Sequence, residues 1–144
     1  MNLQKKKELI AQAIEASQSS YSPYSNYRVG AALLCQDASV YTGCNVENAS
    51  YGGSICAERT AIVKAVSAGQ KEFKALAIYG ARADTAIEDN DQYAFPCGIC
   101  RQFLYEFAQD DLLVLIARNQ DDFIQRSMAD LLPDNFASVN LKSK

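Results

Sequence analysis

Residues 56–58 read Cys-Ala-Glu, and residues 96–100 read Pro-Cys-Gly-Ile-Cys. The three cysteine thiolates of these two stretches can hold one zinc ion and leave its fourth tetrahedral position open, as catalytic zinc sites do. The chain contains no histidine, so imidazole is excluded both as a ligand and as a general base. Glu58 follows the first cysteine by two residues, so its carboxylate can lie beside the metal without binding it. These residues predict a zinc site with its own acid–base group.

Both stretches are predicted to begin a helix. Ser54 is a suitable N-cap before Cys56, and Pro96 suits the first turn of the second helix. A spacing of three residues puts Cys97 and Cys100 on the same face of that helix. The positive ends of both helix dipoles would then point at the metal and stabilise thiolate charge.

Three thiolates give such a metal site a net negative charge, which weakens the ability of zinc to acidify a bound water. Arg59 and Arg101 each follow one of the two stretches directly and could offset this charge by hydrogen-bonding a thiolate, a role we expect of Arg59. The alternative is a structural zinc site or a set of buried thiols. A structural site normally has four ligands, however, and Cys35 and Cys44 fall in predicted strands and are expected in the core.

Strands and helices alternate along the chain, which is the pattern of a layered α/β sheet. The sequence predicts strands at 29–35, 40–44, 75–79, 112–117 and 123–127. It predicts helices at 3–18, from about residue 54 to Gly69, from Pro96 onward and at 128–132, with a long acidic loop at 82–94. We therefore predict one domain over residues 1–144, with a three-layer α/β/α fold around a mixed sheet of about five strands.

The composition favours a small-molecule partner. The net charge is −3, whereas proteins that bind nucleic acid usually carry a basic face. No apolar run follows Met1 that could serve as a signal peptide or a membrane span. Five cysteines without a secretory signal favour metal binding or free thiols over disulfides, so the expected compartment is the cytoplasm.

Several sequence blocks extend the pattern beyond the cysteine motifs. They are Tyr-Arg-Val-Gly-Ala-Ala-Leu at 27–33, Gly-Cys-Asn-Val-Glu-Asn-Ala at 43–49, Cys-Ala-Glu-Arg-Thr-Ala at 56–61, Pro-Cys-Gly-Ile-Cys-Arg-Gln at 96–102 and Leu-Leu-Pro at 131–133. In these blocks and their order the chain resembles the small, homotetrameric cytidine deaminases. The resemblance implies the fold of that family, one Zn²⁺ per subunit, and hydrolysis of cytidine and 2′-deoxycytidine to uridine and 2′-deoxyuridine with release of ammonia.

The resemblance also implies roles at the metal site. Cys56, Cys97 and Cys100 match the zinc ligands of the family, and Glu58 matches the residue that transfers protons. The chemistry agrees, because carbon 4 of cytosine is a poor electrophile until nitrogen 3 is protonated. One carboxylate beside an open zinc position can serve as both acid and base for this reaction.

Substrate-binding roles follow from the same resemblance. Asn45 and Glu47 match a pair that hydrogen-bonds the ribose 3′-hydroxyl, and the backbone of Ala57 with the Glu58 carboxylate matches the groups that read the pyrimidine edge. Tyr27 stands where the family usually has a phenylalanine that packs on the base, and its added hydroxyl could alter base or sugar preference. From the residues alone, Asn45 and Glu47 could equally be turn or solvated loop residues.

Two aromatic residues bear on assembly. Tyr51 and Phe136 match positions that reach a neighbouring subunit's active site in the family tetramer. The resemblance therefore implies a homotetramer whose active sites are shared between subunits. Without it, Phe136 could be an ordinary core or interface aromatic.

Three other interpretations compete with this one. A deaminase of the same fold could act on an aminonucleoside antibiotic such as blasticidin S, although the Asn45 and Glu47 pair favours a plain ribonucleoside. An enzyme that edits nucleic acid is disfavoured by the acidic charge. A non-catalytic zinc-binding protein is disfavoured by the open coordination position and by Glu58.

Overall fold

Five strands form one sheet in the computed structural model, which describes residues 1–108 and 111–142. The strands are β1 Tyr27–Cys35, β2 Val40–Cys44, β3 Phe73–Arg82, β4 Leu113–Ala117 and β5 Phe123–Arg126. The helices are α1 Leu3–Ser17, α2 Ala57–Ser67, α3 Gly98–Phe107 and α4 Met128–Leu131.

The sheet combines antiparallel and parallel pairing in the order β2-β1-β3-β4-β5. β1 is antiparallel to both β2 and β3, β3 is parallel to β4, and β4 is antiparallel to β5. The connection between the two parallel strands contains α3, because parallel neighbours need a long crossover. The predicted mixed sheet of five strands is confirmed.

Helices cover both faces of this sheet. α1 buries Leu9, Ile10 and Ala13 against one face. α2 and α3 bury Ala61 and Leu104 against the other face. The predicted three-layer α/β/α arrangement is therefore confirmed, and β3 has a nearly continuous apolar sequence because helices cover it on both faces.

The start of α2 differs from the prediction. The N-cap is Cys56 rather than Ser54, because the chain before it stays extended. The backbone N–H of Ile55 donates to the carbonyl of Val46 at 2.9 Å, and the hydroxyl of Ser54 accepts from the backbone N–H of Asn48 at 3.1 Å. These contacts hold residues 54 and 55 against the preceding loop and delay the helix by two residues.

The start of α3 and the length of β3 also differ. Cys97 is the N-cap of α3, with an extended ψ of 167°, so Pro96 lies just before the helix and not in its first turn. β3 is longer than the predicted 75–79, because its pairing with β1 continues from Phe73 to Arg82.

The long acidic connection between β3 and α3 is fastened to the end of the sheet. The buried amide of Asn90 donates from Nδ2 to the carbonyls of Gly80 and Arg118, at 3.1 and 3.0 Å. The hydroxyl of Tyr93 donates to Asp122 at 2.6 Å. No helix among the described residues is long and apolar enough to span a bilayer.

Candidate active site

Three thiols meet where the N-termini of α2 and α3 approach each other. Cys56 and Cys97 are the N-caps of the two helices, and Cys100 is the third residue of α3. The Sγ atoms of Cys56 and Cys97 lie 3.7 Å apart, and those of Cys97 and Cys100 lie 3.4 Å apart. All three sulfur atoms lie within 4.8 Å of one another.

This spacing fits a shared zinc ion. A Zn–S bond of about 2.3 Å in tetrahedral geometry separates two sulfur ligands by roughly 3.8 Å, close to the distances observed. Neither N-cap cysteine accepts a capping hydrogen bond from the backbone N–H groups of its own helix, so both sulfur atoms remain available to bind a metal. Cys35 and Cys44 lie in β1 and β2, outside this thiol group.

The carboxyl group of Glu58 is buried beside the thiols. Glu58 is the second residue of α2 and is only 4% exposed. Burial raises the pKa of its carboxyl to about 7, and charge on Cys56 acts in the same direction, against the hydrogen bonds that the carboxyl accepts. A carboxyl with this pKa can both take up and release a proton near neutral pH.

The thiols themselves differ in acidity. A hydrogen bond from Cys100 lowers the pKa of Cys56, with smaller contributions from Arg59 and Cys97. The same bond raises the pKa of Cys100, the donor, and burial raises it further. This hydrogen bond thus favours proton loss at Cys56 over Cys100, and a bound cation would favour deprotonation of the metal-binding thiols.

The guanidinium group of Arg59 is directed at the Cys56 thiol. Its Nη2 donates to the Sγ of Cys56 at 3.8 Å and to the carbonyl of Ser54 at 3.4 Å. Its buried Nε has no hydrogen-bond partner among the described residues. Three thiolates bound to one Zn²⁺ would carry a net negative charge. A guanidinium group beside them offsets part of that charge, so this arrangement fits a bound zinc ion.

One cavity of about 270 Å³ opens beside Glu58 and the thiols. Its size is near the lower end for small-molecule sites. Its walls come from the ends of β1 and β2, the start of α2 and the segment before α3: Tyr27, Val29, Asn45, Cys56, Ala57, Glu58, Ala94, Phe95 and Cys97. The structure therefore brings together six of the residues singled out in the sequence.

Three lining residues had no sequence signal of function. Val29 is an ordinary apolar strand residue, and Ala94 and Phe95 lie in the long acidic connection. Ala94 packs beside Tyr27 over Gly80, where a Cβ would lie 2.6 Å from the Ala94 side chain and 2.9 Å from the Tyr27 ring. Only the fold places this loop against the cavity.

The Asn45 side chain lines the cavity while it holds the start of β1. Its Oδ1 accepts from the backbone N–H of Val29 at 2.9 Å and from the hydroxyl of Ser20. Its Nδ2 donates to the carbonyl of Tyr27 at 2.8 Å. The second Nδ2 hydrogen has no acceptor among the residues that the structure describes, so it is available to a ligand.

Glu47 is not among the residues that line the cavity. Its carboxylate accepts from the backbone N–H groups of Tyr24 and Ser25, at 2.9 and 3.0 Å, and from the Ser25 hydroxyl. Partial burial acts to raise the pKa of Glu47, but these hydrogen bonds prevail and lower it. The carboxylate is therefore charged, and it fixes the turn before β1.

Tyr51 and Phe136 also lie outside the cavity walls. Tyr51 is 76% exposed and Phe136 is 58% exposed. The Tyr51 ring contacts that of Tyr24 edge-on, with centroids 5.9 Å apart, and the Phe136 carbonyl accepts from Nε2 of Gln102 at 2.8 Å. Both rings face away from the core of the single chain.

Comparison with known proteins places this geometry in one family. The family model for the cytidine and deoxycytidylate deaminase zinc-binding region matches residues 3–116. A cytidine deaminase from Sporosarcina psychrophila is 41% identical over 134 residues, which are 93% of this chain and 93% of that protein. The crystal structure of cytidine deaminase from Burkholderia pseudomallei superposes with a TM-score of 0.79 at 45% identity, covering 90% of this chain and 97% of that chain.

A more distant relative has a different substrate in its name. A blasticidin-S deaminase from Bacillus cereus is 28% identical over 126 residues, 88% of each chain. The nucleoside deaminases match over more of the chain and at higher identity. The three thiols, the buried glutamate and these similarities together establish that the chain belongs to the cytidine and deoxycytidylate deaminase family.

Proposed function

We propose that this chain hydrolyses the 4-amino group of cytidine and 2′-deoxycytidine, giving uridine, 2′-deoxyuridine and ammonia, a reaction of pyrimidine salvage. One observation carries the proposal: the buried Glu58 carboxyl shares a cavity with Cys56 and Cys97 of the three-thiol group. An acid–base group beside a metal-binding set is what hydrolytic deamination of a cytosine ring requires.

Cys56, Cys97 and Cys100 would hold one Zn²⁺ per subunit. A zinc ion bound by three protein ligands supplies Lewis acidity that activates a water molecule as the nucleophile. Arg59 would stabilise the negative charge of the Cys56 thiolate, because its Nη2 lies within hydrogen-bonding distance of the Cys56 sulfur.

Glu58 would carry the protons of the reaction. It accepts a proton from the attacking water and delivers it to nitrogen 3 of cytosine, which makes carbon 4 electrophilic. It then takes the second proton of that water from the hydroxyl now attached to carbon 4 and passes it to the amino group, so that the C4–N bond breaks, the C4=O bond forms and ammonia leaves. A pKa of about 7 supports this role, since neither protonation state of Glu58 is strongly disfavoured at neutral pH.

The cavity walls would orient the nucleoside. The Tyr27 ring would pack on the base, and the Ala57 backbone with Glu58 would read the pyrimidine edge. Asn45 retains one free amide hydrogen for the ribose, and Glu47, charged and held by the 24–25 turn, retains free acceptor capacity for the 3′-hydroxyl. A Michaelis constant for cytidine that is unchanged in both Asn45→Ala and Glu47→Gln would remove the ribose assignment.

We also propose a homotetramer with active sites shared between subunits. Tyr51 and Phe136 are exposed aromatics that lie outside the cavity walls of their own chain, so a neighbouring subunit's site can receive them. With a net charge of −3, a nucleic-acid partner is not expected, and the free thiols suit the cytoplasm. Light scattering of the zinc-loaded protein gives the assembly size, and a monomer with full activity would exclude shared sites.

Blasticidin S is the second candidate substrate, favoured by the relative from Bacillus cereus. Such an enzyme would use the same thiols and the same glutamate, so only the substrate distinguishes it. Turnover of cytidine and of blasticidin S should be compared at equal enzyme concentration. We expect kcat/KM to favour cytidine, and the opposite ranking would replace the first proposal by the second.

The direct experiment is release of ammonia and uridine from cytidine by the zinc-loaded protein, with Glu58→Gln as the matched control. The amide keeps the size of the side chain but cannot shuttle a proton, so the variant should bind zinc and lose turnover by about a thousandfold. Full turnover in Glu58→Gln would refute the proton-transfer role. Absence of turnover in the zinc-loaded wild type would refute the proposed activity.

A further inference from the structure

Arg101 directly follows Cys100 in α3, and its guanidinium group joins two distant parts of the chain. Nε donates to the carbonyl of Pro96 at 2.7 Å. Nη1 donates to the carbonyl of Leu131, the last residue of α4, at 2.8 Å. The planar group thus fastens the residue before Cys97 to the C-terminal part of the protein.

Neither of these two carbonyls belongs to the regular hydrogen bonding of a helix. Pro96 precedes the N-cap of α3, so its carbonyl lies outside that helix. Leu131 is the last residue of α4, so no backbone N–H of that helix donates to its carbonyl. A charged donor makes stronger hydrogen bonds to such groups than a neutral one does.

Cys97 depends on its backbone more than the other two cysteines do. Cys100 is buried and Cys56 is half-buried, whereas Cys97 is exposed, so the core does not hold its side chain. The next residue is Gly98, where an added Cβ would meet no atom within 4 Å. The position of the Cys97 sulfur therefore depends on how its backbone is held, by the N–H of Arg101 on the Cys97 carbonyl and by the Arg101 guanidinium on the carbonyl of Pro96.

A second side chain of α3 also contacts the segment that follows β5. Gln102, the residue after Arg101, donates from Nε2 to the carbonyl of Phe136 at 2.8 Å. The two residues that follow Cys100 therefore both bind the segment after β5. Its position relative to α3 is linked to that of the residue before Cys97.

We propose that Arg101 is a positioning residue of the metal site: by joining Pro96 to α4 it holds Cys97 within reach of the metal shared with Cys56 and Cys100. The inference rests on the proposed zinc-dependent function. It makes metal affinity depend on a contact to the C-terminal segment, although that segment supplies no proposed metal ligand.

The test compares Arg101→Met with Arg101→Lys and with the control Arg126→Met. Arg126 is also partly buried and donates to a backbone carbonyl, that of Gln125, but among the described residues it makes no hydrogen bond to Pro96 or Leu131. Zinc affinity is measured by competition with a chromogenic chelator. The absorption spectrum of the Co²⁺-substituted protein reports the geometry of the thiolates separately from stability.

We expect Arg101→Met to weaken zinc binding about tenfold, the lower end of the usual loss when a group supporting a metal ligand is removed. The Co²⁺ spectrum of Arg101→Met should shift. Arg101→Lys keeps the charge but lacks the planar guanidinium group that binds two carbonyls, so it should recover only part of the affinity. Arg126→Met should match the wild type. If Arg101→Met fails to fold, the comparison of Arg101→Lys with the wild type decides.

Wild-type affinity and an unchanged Co²⁺ spectrum in the Arg101 variants would overturn the inference. Equal losses in the Arg101 and Arg126 variants would also overturn it, because the effect would then be one of charge alone. A wild-type protein that binds neither Zn²⁺ nor Co²⁺ would instead overturn the proposed zinc-dependent function from which the inference starts.

Discussion

Gly43 sets how closely α2, which carries Cys56 and Glu58 at its start, approaches the sheet. A Cβ at this position in β2 would lie 2.6 Å from the backbone nitrogen of Ala61 and 2.7 Å from the carbonyl oxygen of Ala57. Ordinary contacts of a Cβ begin at 3.4 Å. Both neighbouring atoms are backbone, so Gly43→Ala should displace α2 by roughly 0.8 Å, because no side chain can rotate away.

This displacement should affect metal binding more than folding. Overpacking of this kind costs about 1–3 kcal/mol of unfolding free energy, and rigid neighbours place Gly43→Ala near the upper value. Metal–ligand distances, however, tolerate only about 0.2 Å. A shift of α2 moves Cys56 away from Cys97 and Cys100, so zinc affinity should fall well beyond tenfold even where the protein remains folded.

Urea unfolding and zinc competition on the same samples test this reasoning. All variants are compared at one protein concentration, because assembly contributes to apparent stability. Gly52→Ala is the control, since an added Cβ there would meet no atom within 4 Å. A Gly43→Ala protein with wild-type zinc affinity and less than about 0.5 kcal/mol of destabilisation would refute the argument from close approach.

Further predictions concern the loop before α3, the pH dependence of stability and the metal. Asn90→Ala leaves the carbonyls of Gly80 and Arg118 without their amide donor and should cost about 2 kcal/mol in urea unfolding; a loss below about 0.5 kcal/mol would show that the loop is held without Asn90. Hydrogen bonds from Tyr93 and then from Arg118 lower the pKa of Asp122, so the stability they provide is present above the unfolded-state pKa and lost as pH falls through the lower folded-state value. The unfolding midpoint of Asp122→Asn should therefore fall less between pH 7 and pH 3 than that of the wild type, and parallel curves would contradict this. Removal of zinc by a chelator should lower the thermal midpoint of the wild type, and an unchanged midpoint would mean that the thiols bind no metal in the folded protein.

Local sequence patterns were sufficient to locate the strands and helices. β2 was predicted at its observed bounds, 40–44, because it ends at polar segments on both sides. The start of α2 was misplaced at Ser54, because the contact between Ile55 and Val46 that keeps the chain extended joins residues nine apart. The local sequence does not predict such a contact, whereas a serine at position 54 is a favourable N-cap residue.

Residue chemistry alone determined the set of candidate metal ligands and the acid–base group. In a chain without histidine, cysteine and carboxylate are the remaining candidates, and their spacing is visible without a fold. The tertiary structure decided which groups meet. It brings Cys56 within 3.7 Å of Cys97 across 41 residues of chain, and it turns the Glu47 carboxylate to the 24–25 turn.

Distances across the chain depend on packing, which sequence patterns do not encode locally. Periodicity tells which face of an element is buried but not which other element covers it. Three contacts join segments that are far apart in sequence. They are the close approach of α2 to Gly43, the hydrogen bonds of Asn90 that anchor the long loop, and the hydrogen bonds of the Arg101 guanidinium. Sequence therefore determined the chemistry available to this protein, and the packing of helices against one mixed sheet decided the geometry in which that chemistry is arranged.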